Sequence, residues 1–126
     1  MVLDDLATVL SSGGMGTAYK DFMPTAPDSV ISIYSAGGQP PTHTMQAPHV
    51  LEEPRVQVLC RAVSLQEAHE TARGVYSVLN GLRSRDIGGV TYHWVTAIQE
   101  PFLLGRDQNS RFTVACNYTI KKDRST

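Results

Sequence analysis

The stretch 55-RVQVLCRAVSLQEAHETARGVYSVLNGL-82 decides the fold, because it predicts one strand followed directly by one amphipathic helix. Arg55–Val63 is rich in β-branched and apolar residues, as in a strand with one buried face. Ser64 predicts a helix N-cap, and Glu67 three residues later completes a capping box. Gly81 lies where a helix usually ends. The apolar side chains between them recur every three or four residues and form one stripe: Leu65, Ala68, Ala72, Val75, Leu79 and Leu82.

Length, charge and cysteine content narrow the function classes. A chain of 126 residues is expected to form one domain with a single core. The net charge of −1 and the pI near 6.4 argue against a protein that grips nucleic acid by neutralising phosphates. No apolar run is long enough to span a bilayer, and the start MVLDDL is unlike a signal peptide. Cys60 and Cys116 fall within predicted strands, so we expect buried, reduced thiols. A disulfide requires those strands to be neighbours in register, which the sequence does not show.

The remaining sequence adds one helix, several strands and one irregular segment. The predicted helix and strands lie at Val2–Leu10, Val30–Ser35, Val90–Gln99 and Arg111–Lys121. Gly37–Pro54 holds four of the seven prolines and is predicted to be a long loop. Residues 122–126 are predicted to be a frayed tail. We therefore predict an α+β fold over residues 1–126, a two-layer sandwich whose mixed, mainly antiparallel sheet has two helices packed on one face.

The sequence shows no arrangement of residues typical of catalysis or metal binding. His43 and His49 lie near two glutamates, but a metal site needs at least three convergent ligands on a rigid frame. Cys60 lies in an apolar strand, where burial keeps a thiol protonated and unreactive. We therefore predict that the protein is not an enzyme and has no catalytic residue, no metal site and no cofactor.

Three stretches together resemble a known protein family. They are VISIYSAGGQPP at 30–41, EEPRVQVLCRAVSLQEAHETARGVYSVLNGL at 52–82, and IQEPFLLGRDQNSRFTVACNYTI at 98–120. In this order and spacing they resemble the minor capsid or tail-terminator (tail completion) proteins of long-tailed bacteriophages. The resemblance covers much of the chain and implies a structural role in the virion.

The resemblance also implies partners and a location. Proteins of this kind form homo-hexameric rings at the head-proximal end of the tail tube, where they end tail polymerisation and join the tail to the head connector in the neck. The implied partners are further copies of the chain, the tail tube protein and the connector or stopper protein. Genomic DNA passes through the lumen without sequence-specific binding, and no membrane is involved. The implied location is the virion, assembled in the cytoplasm of the bacterial host.

Two segments are the candidate subunit or partner contacts. The first is the loop Gly37–Pro54, with the candidate residues Gln39, Pro40, His43, Met45 and His49. The second is the turn after Leu104, with the candidate residues Arg106, Asp107, Asn109 and Arg111. Arg106 and Arg111 flank Asp107, so ion pairs between subunits are one interpretation. An ordinary solvated hairpin turn, with Asp107 and Asn109 supplying turn geometry, is the other.

Two other functions fit the predicted order of elements. One is a stopper or another connector ring of the phage neck. The other is a ferredoxin-like domain that binds a small ligand, since that fold shares the strand-helix-strand order. Native mass separates the phage interpretation from the binding domain, because a hexamer, or a monomer that assembles on tail tubes, favours the former and a ligand-stabilised dimer favours the latter.

Overall fold

The computed structural model describes residues 2–43 and 50–123 and contains two helices and seven strands within them. In chain order they are α1 (Val2–Ser12), β1 (Ala18–Lys20), β2 (Val30–His43), β3 (Val50–Ala62), α2 (Leu65–Leu79), β4 (Leu82–Ile87), β5 (Val90–Ala97), β6 (Phe102–Arg106) and β7 (Phe112–Asp123). The order of strand and helix predicted from the opening stretch is confirmed by β3 and α2.

The start of α2 confirms the predicted N-cap at Ser64, but the Glu67 carboxylate does not complete the predicted capping box. The Ser64 hydroxyl accepts a hydrogen bond from the Glu67 backbone N–H at 3.1 Å, which satisfies one of the free donors of the first turn. The Glu67 carboxylate accepts from the Ser29 hydroxyl at 2.8 Å, so it ties α2 to the residue just before β2. The helix ends at Asn80, and Gly81 follows with a φ of +86°, as predicted for a glycine stop.

The sheet overturns the predicted sandwich. Strands make up 50% of the residues and helices 24%, and the sheet curls into a half-barrel. Its order is β1-β2-β3-β7-β5-β4, with β6 also paired to β7. Only β1 and β2 pair in parallel among these strands. The prediction of a two-layer sandwich with two helices on one flat face is therefore wrong. Long strands accumulate twist and bulges add to it, so a sheet with 12- to 14-residue strands curls.

The predicted loop at 37–54 is also corrected. Residues 37–43 continue β2 and residues 50–54 belong to β3, and the pair Gln39↔Glu53 lies in their antiparallel ladder. This part of the chain is therefore a long β-hairpin with two register shifts in β2. At the other end of the chain, β7 extends to Asp123, so residues 122 and 123 are strand where a frayed tail was predicted.

One core joins both helices to the strands. α2 contributes the predicted stripe from Ala68 to Leu79, whereas Leu65 is 38% exposed and Leu82 begins β4. β7 contributes every second residue from Val114 to Ile120, as its alternation predicts. Cys60 and Cys116 are free, buried and diagonally placed on adjacent strands, since Val58 is the partner of Cys116. Burial raises the pKa of the Cys60 thiol to about 12, which keeps it unreactive at neutral pH.

Polar side chains close one end of this core. Tyr92 of β5, Lys122 of β7 and Glu52 of β3 are successive partners across the sheet. The buried ammonium of Lys122 donates to the Glu52 carboxylate at 2.6 Å. The Tyr92 hydroxyl donates to the carboxylate of Asp5 in α1 at 2.5 Å. Burial, followed by the hydrogen bond to Asp5, raises the pKa of Tyr92 and keeps it protonated. This layer fixes α1 against the sheet.

Candidate assembly surfaces

The first candidate segment is the distal hairpin, which we define as residues 37–43 and 50–54. Gln39, Pro40 and His43 lie in β2, and His43 is the ladder partner of Val50. Met45 and His49 lie outside the described residues. Since the hairpin reaches the last residues of β7, where Leu51 is opposite Asp123, it extends to one end of the sheet. The role of these five residues in contacts with partners remains a prediction.

Ion pairs brace the β3 side of the distal hairpin against β7. Glu52 binds Lys122 on the core face, and the Glu53 carboxylate lies 3.5 Å from the Lys121 ammonium. On the next strand pair, His93 of β5 lies 2.8 Å from the Asp123 carboxylate. Successive residues of a strand point to opposite faces, so the two lysine pairs brace the sheet on both sides. The base of the hairpin is therefore held in one orientation.

The second candidate segment is a tight turn built around Asp107. One Asp107 oxygen accepts from the backbone N–H groups of Asn109 and Arg111, both at 2.9 Å. The other oxygen accepts from the Arg111 Nε at 2.8 Å. The turn closes at Ser110, whose φ of +60° is left-handed. This geometry favours the interpretation of Asp107 and Asn109 as turn residues.

Arg111 is a buried structural residue. Its side chain is 6% exposed, and besides Asp107 it donates to the Thr25 carbonyl at 2.6 Å and lies 3.4 Å from the Asp28 carboxylate. Arg61 is also buried and donates to the carbonyls of Pro27 and Asp28. The two guanidinium groups hold the segment before β2 across the ends of β3 and β7. Arg111 is therefore engaged within the chain, which leaves Arg106 as the arginine of this turn that can meet a partner.

The Asp107 turn makes the stability of the fold depend on pH. The Arg111 backbone amide first, and then its guanidinium and the Asn109 amide, hold the pKa of the Asp107 carboxyl below its ordinary value of 3.8. A lowered carboxyl pKa stabilises the fold above the ordinary value, and this contribution is lost as the pH falls through the folded-state pKa. We expect Asp107→Asn to lower the urea midpoint at pH 7 and the two proteins to converge in acid. A difference that persisted below the folded-state pKa would contradict the assignment.

Sequence reasoning missed a third surface, the edge strand β6. The apolar residues just before the predicted turn form β6, which pairs with β7 from Phe102↔Ala115 to Arg106↔Phe112. Phe102, Leu103 and Leu104 are 36%, 47% and 52% exposed, and Ile98 just before them is 50% exposed. The signal in the sequence was the run of three large apolar residues, because successive side chains point to opposite faces and a strand with one uncovered face leaves part of such a run exposed.

Within residues 2–43 and 50–123, no three His, Cys, Asp or Glu side chains converge as a metal site. A surface depression of about 350 Å³ is lined in part by Met15, Tyr19 and Arg61. The Arg61 guanidinium there is already bound to backbone carbonyls. Neither helix in the described part of the chain is long and apolar enough to cross a membrane.

Comparison with known proteins identifies a family and solved structures of similar fold. The sequence profile of a family described as bacteriophage tail terminator protein matches residues 5–124. No curated protein sequence matches the chain. A solved chain from the virion of a native gene transfer agent particle has a TM-score of 0.56 at 14% identity, with 94% of this chain and 84% of that chain covered. A second solved chain has a TM-score of 0.54 at 11% identity, with 99% of this chain and 92% of that chain covered. At these identities the structural likeness shows a shared fold.

Proposed function

The chain belongs to the bacteriophage tail terminator protein family and has a structural role in the phage tail, and we propose that its copies form a ring at the head-proximal end of the tail tube. The ring ends polymerisation of the tube and joins the tail to the head connector. The observation that carries the proposal is the family match over residues 5–124. A gene transfer agent virion contains a chain of the same fold, which supports a place in the particle.

The proposed ring contains six copies in head-to-tail contact. Each copy then uses two different surfaces toward its neighbours, which suits a subunit whose free strand edges differ. The tail tube protein binds one side of the ring, and the connector or stopper protein binds the other. The DNA passes through the lumen, and a chain with a net charge of −1 suits a channel in which DNA slides without being held. The ring is assembled in the bacterial cytoplasm and remains at the neck of the virion.

The proposed role requires that the subunits fit together in shape and pair through their backbones. It requires no chemical reaction. The described ionisable pairs, such as Lys122 with Glu52 and Arg111 with Asp107, each brace one strand or turn against another. We therefore propose a protein that acts without catalysis. The family match favours a terminator over a stopper ring, and it favours a tail component over a ferredoxin-like ligand-binding domain.

The proposal is tested by deleting the gene from the phage that encodes the protein. We expect tails of abnormal length that do not attach to filled heads, as seen by negative-stain electron microscopy of the lysate. Because the ring caps the tube, the length distribution should broaden toward long tubes. Expression of the wild-type chain from a plasmid should restore normal tails, and an empty plasmid is the control. Normal-length tails attached to filled heads in the deletion mutant would contradict the proposal.

A further inference from the structure

We propose that β6 of one copy pairs with the free edge of β2 in the next copy, so that the sheet continues from subunit to subunit. The inference rests on the proposed ring and names the surface by which two copies meet. It also assigns a partner to Arg106, which is exposed and lies 5.1 Å from the centre of the Phe112 ring. The first observation that supports the proposal is that β6 carries fewer charges than β4, the other strand at that side of the sheet.

The two strands on this side of the sheet are β4 and β6, and they differ in how they are protected. β4 has the sequence LRSRDI, so two exposed arginines and an exposed aspartate lie along it, and Ser84 has a left-handed φ of +48°. Charges and local distortion are the devices that keep an edge strand from pairing with another chain. β6 has the sequence FLLGR and also carries a register shift, between Leu103 and Gly105, but it has no charge before Arg106 and its leucines are about half exposed, so the two strands differ in charge. β6 is therefore the edge that is open to pairing.

The opposite side of the sheet offers a matching edge on β2. β1 covers β2 only from Ile31 to Ile33. From Ser35 to His43, β2 pairs with β3 on one side, and no other described strand pairs with it on the other side. This stretch contains two register shifts and also Pro40 and Pro41, which have no N–H to donate, so only its other residues can supply ladder donors. The Ser35 backbone N–H points out of this free edge, because it donates to the Asp21 carboxylate at 3.3 Å. Each copy therefore carries both an exposed donor strand and a free acceptor edge, as a head-to-tail contact requires.

The strand directions fit this pairing. β2 is antiparallel to β3, β3 to β7, and β7 to β6. Three reversals make β6 run opposite to β2. A ring axis that runs along the strands keeps these directions from one copy to the next, so with such an axis β6 of one copy meets β2 of the next as an antiparallel pair. In that pair the last residue of β6, Arg106, lies at the Ser35 end of the free edge.

The charges at that position are complementary. Arg106 has no carboxylate partner among residues 2–43 and 50–123, and its guanidinium packs on the Phe112 ring. Asp21 has no cationic partner in the same ranges, and its carboxylate lies at the free edge beside Ser35. Antiparallel pairing therefore brings an unpaired cation to an unpaired anion, which fixes both the register and the choice of partner. This complementarity is the reason to place a second copy on β6.

A charge-exchange experiment tests the contact with the purified full chain. We expect Arg106→Glu and Asp21→Lys each to weaken self-association about tenfold, because each puts like charges together at the interface. The double variant restores the opposite charges and is expected to recover wild-type association. Sedimentation velocity over a concentration series and native mass spectrometry measure the association. Far-ultraviolet circular dichroism and the urea midpoint check that every variant is folded.

Matched variants separate this edge from general surface effects. Arg85→Glu on β4 reverses a charge at the protected edge and should leave association unchanged. Leu104→Lys on β6 should weaken it, whereas Val63→Lys, at a residue 57% exposed and outside β6, should not. Single variants that associate like Arg85→Glu, or a double variant that fails to recover, would overturn the inference. A wild-type chain that stays monomeric at every concentration would also overturn it, while the gene deletion decides the proposed function independently.

Discussion

Replacing Arg111 with alanine is expected to lower the free energy of unfolding by about 3 kcal/mol, as for other buried ion pairs that lose one partner. The guanidinium is buried and donates to the Asp107 carboxylate and to the Thr25 carbonyl. Its loss removes hydrogen bonds to a charged group and frees the segment before β2 from the end of the sheet. Asp107 and Asp28 are partly exposed and regain water, so the expected loss stays at the lower end of the range for buried pairs.

The matched control is Arg106→Ala, five residues earlier in the chain. Its guanidinium is exposed and packs on the Phe112 ring, a contact that typically contributes about 0.5 to 1 kcal/mol. Urea unfolding followed by circular dichroism gives both values, provided that the m-values agree. We expect the two alanine substitutions to affect two different properties of the protein. Arg111→Ala should destabilise the monomer, and Arg106→Ala should weaken self-association with little change in stability. Equal losses of stability would contradict the buried role of Arg111.

The elements with a strong local period were predictable from the sequence. α2 has a cap, an apolar stripe and a glycine stop in sequence, and each of these acts within a few residues. β7 alternates cleanly between Val114 and Ile120, so its buried face could be read directly. In both cases the local pattern and the tertiary burial agree, which is when sequence reasoning succeeds.

The distal hairpin was hidden by its prolines. Pro40 and Pro41 suggested a loop, because proline cannot donate to a ladder. β2 pairs on only one side in this region, so proline is tolerated there as it is in other edge strands. Curling of the sheet was equally hidden, since it depends on strand length and on register shifts that involve two strands at once.

The candidate site was predicted only in part, because distant residues decide it. Arg111 was predicted either to contact another subunit or to lie in a solvated turn, yet the Thr25 carbonyl that it binds lies 86 residues away in sequence. No local pattern reports such a partner. The same limit applied to β6, where the exposure of Leu103 and Leu104 depends on pairing with β7. Arg106 alone of the two arginines remains a candidate for contact with another copy.

Replacing Gly88 with alanine is also expected to cost about 3 kcal/mol, although the substitution adds only a methyl group. Gly88 forms the β4–β5 turn with a φ of +58°, where an L-residue is strained. A Cβ built there would lie 2.5 Å from Oδ1 of Asp5, whose other oxygen accepts from Tyr92. The buried carboxylate must then shift, which weakens the hydrogen bond that fixes α1 to the sheet. The urea midpoint measures the loss.

Gly89 provides the matched control in the same turn. Its φ is +80°, and nothing lies within 4 Å of a Cβ built on it, so Gly89→Ala is expected to cost only the backbone strain of about 1 kcal/mol. A double-mutant cycle with Tyr92→Phe then tests whether the additional loss of stability in Gly88→Ala arises through the Asp5–Tyr92 hydrogen bond. If Gly88 acts through the Asp5–Tyr92 hydrogen bond, Gly88→Ala introduced together with Tyr92→Phe should add little more than Gly89→Ala does. Full additivity would show that the crowding of Asp5 is relieved without disturbing Tyr92, and that the turn and α1 are not coupled through this pair.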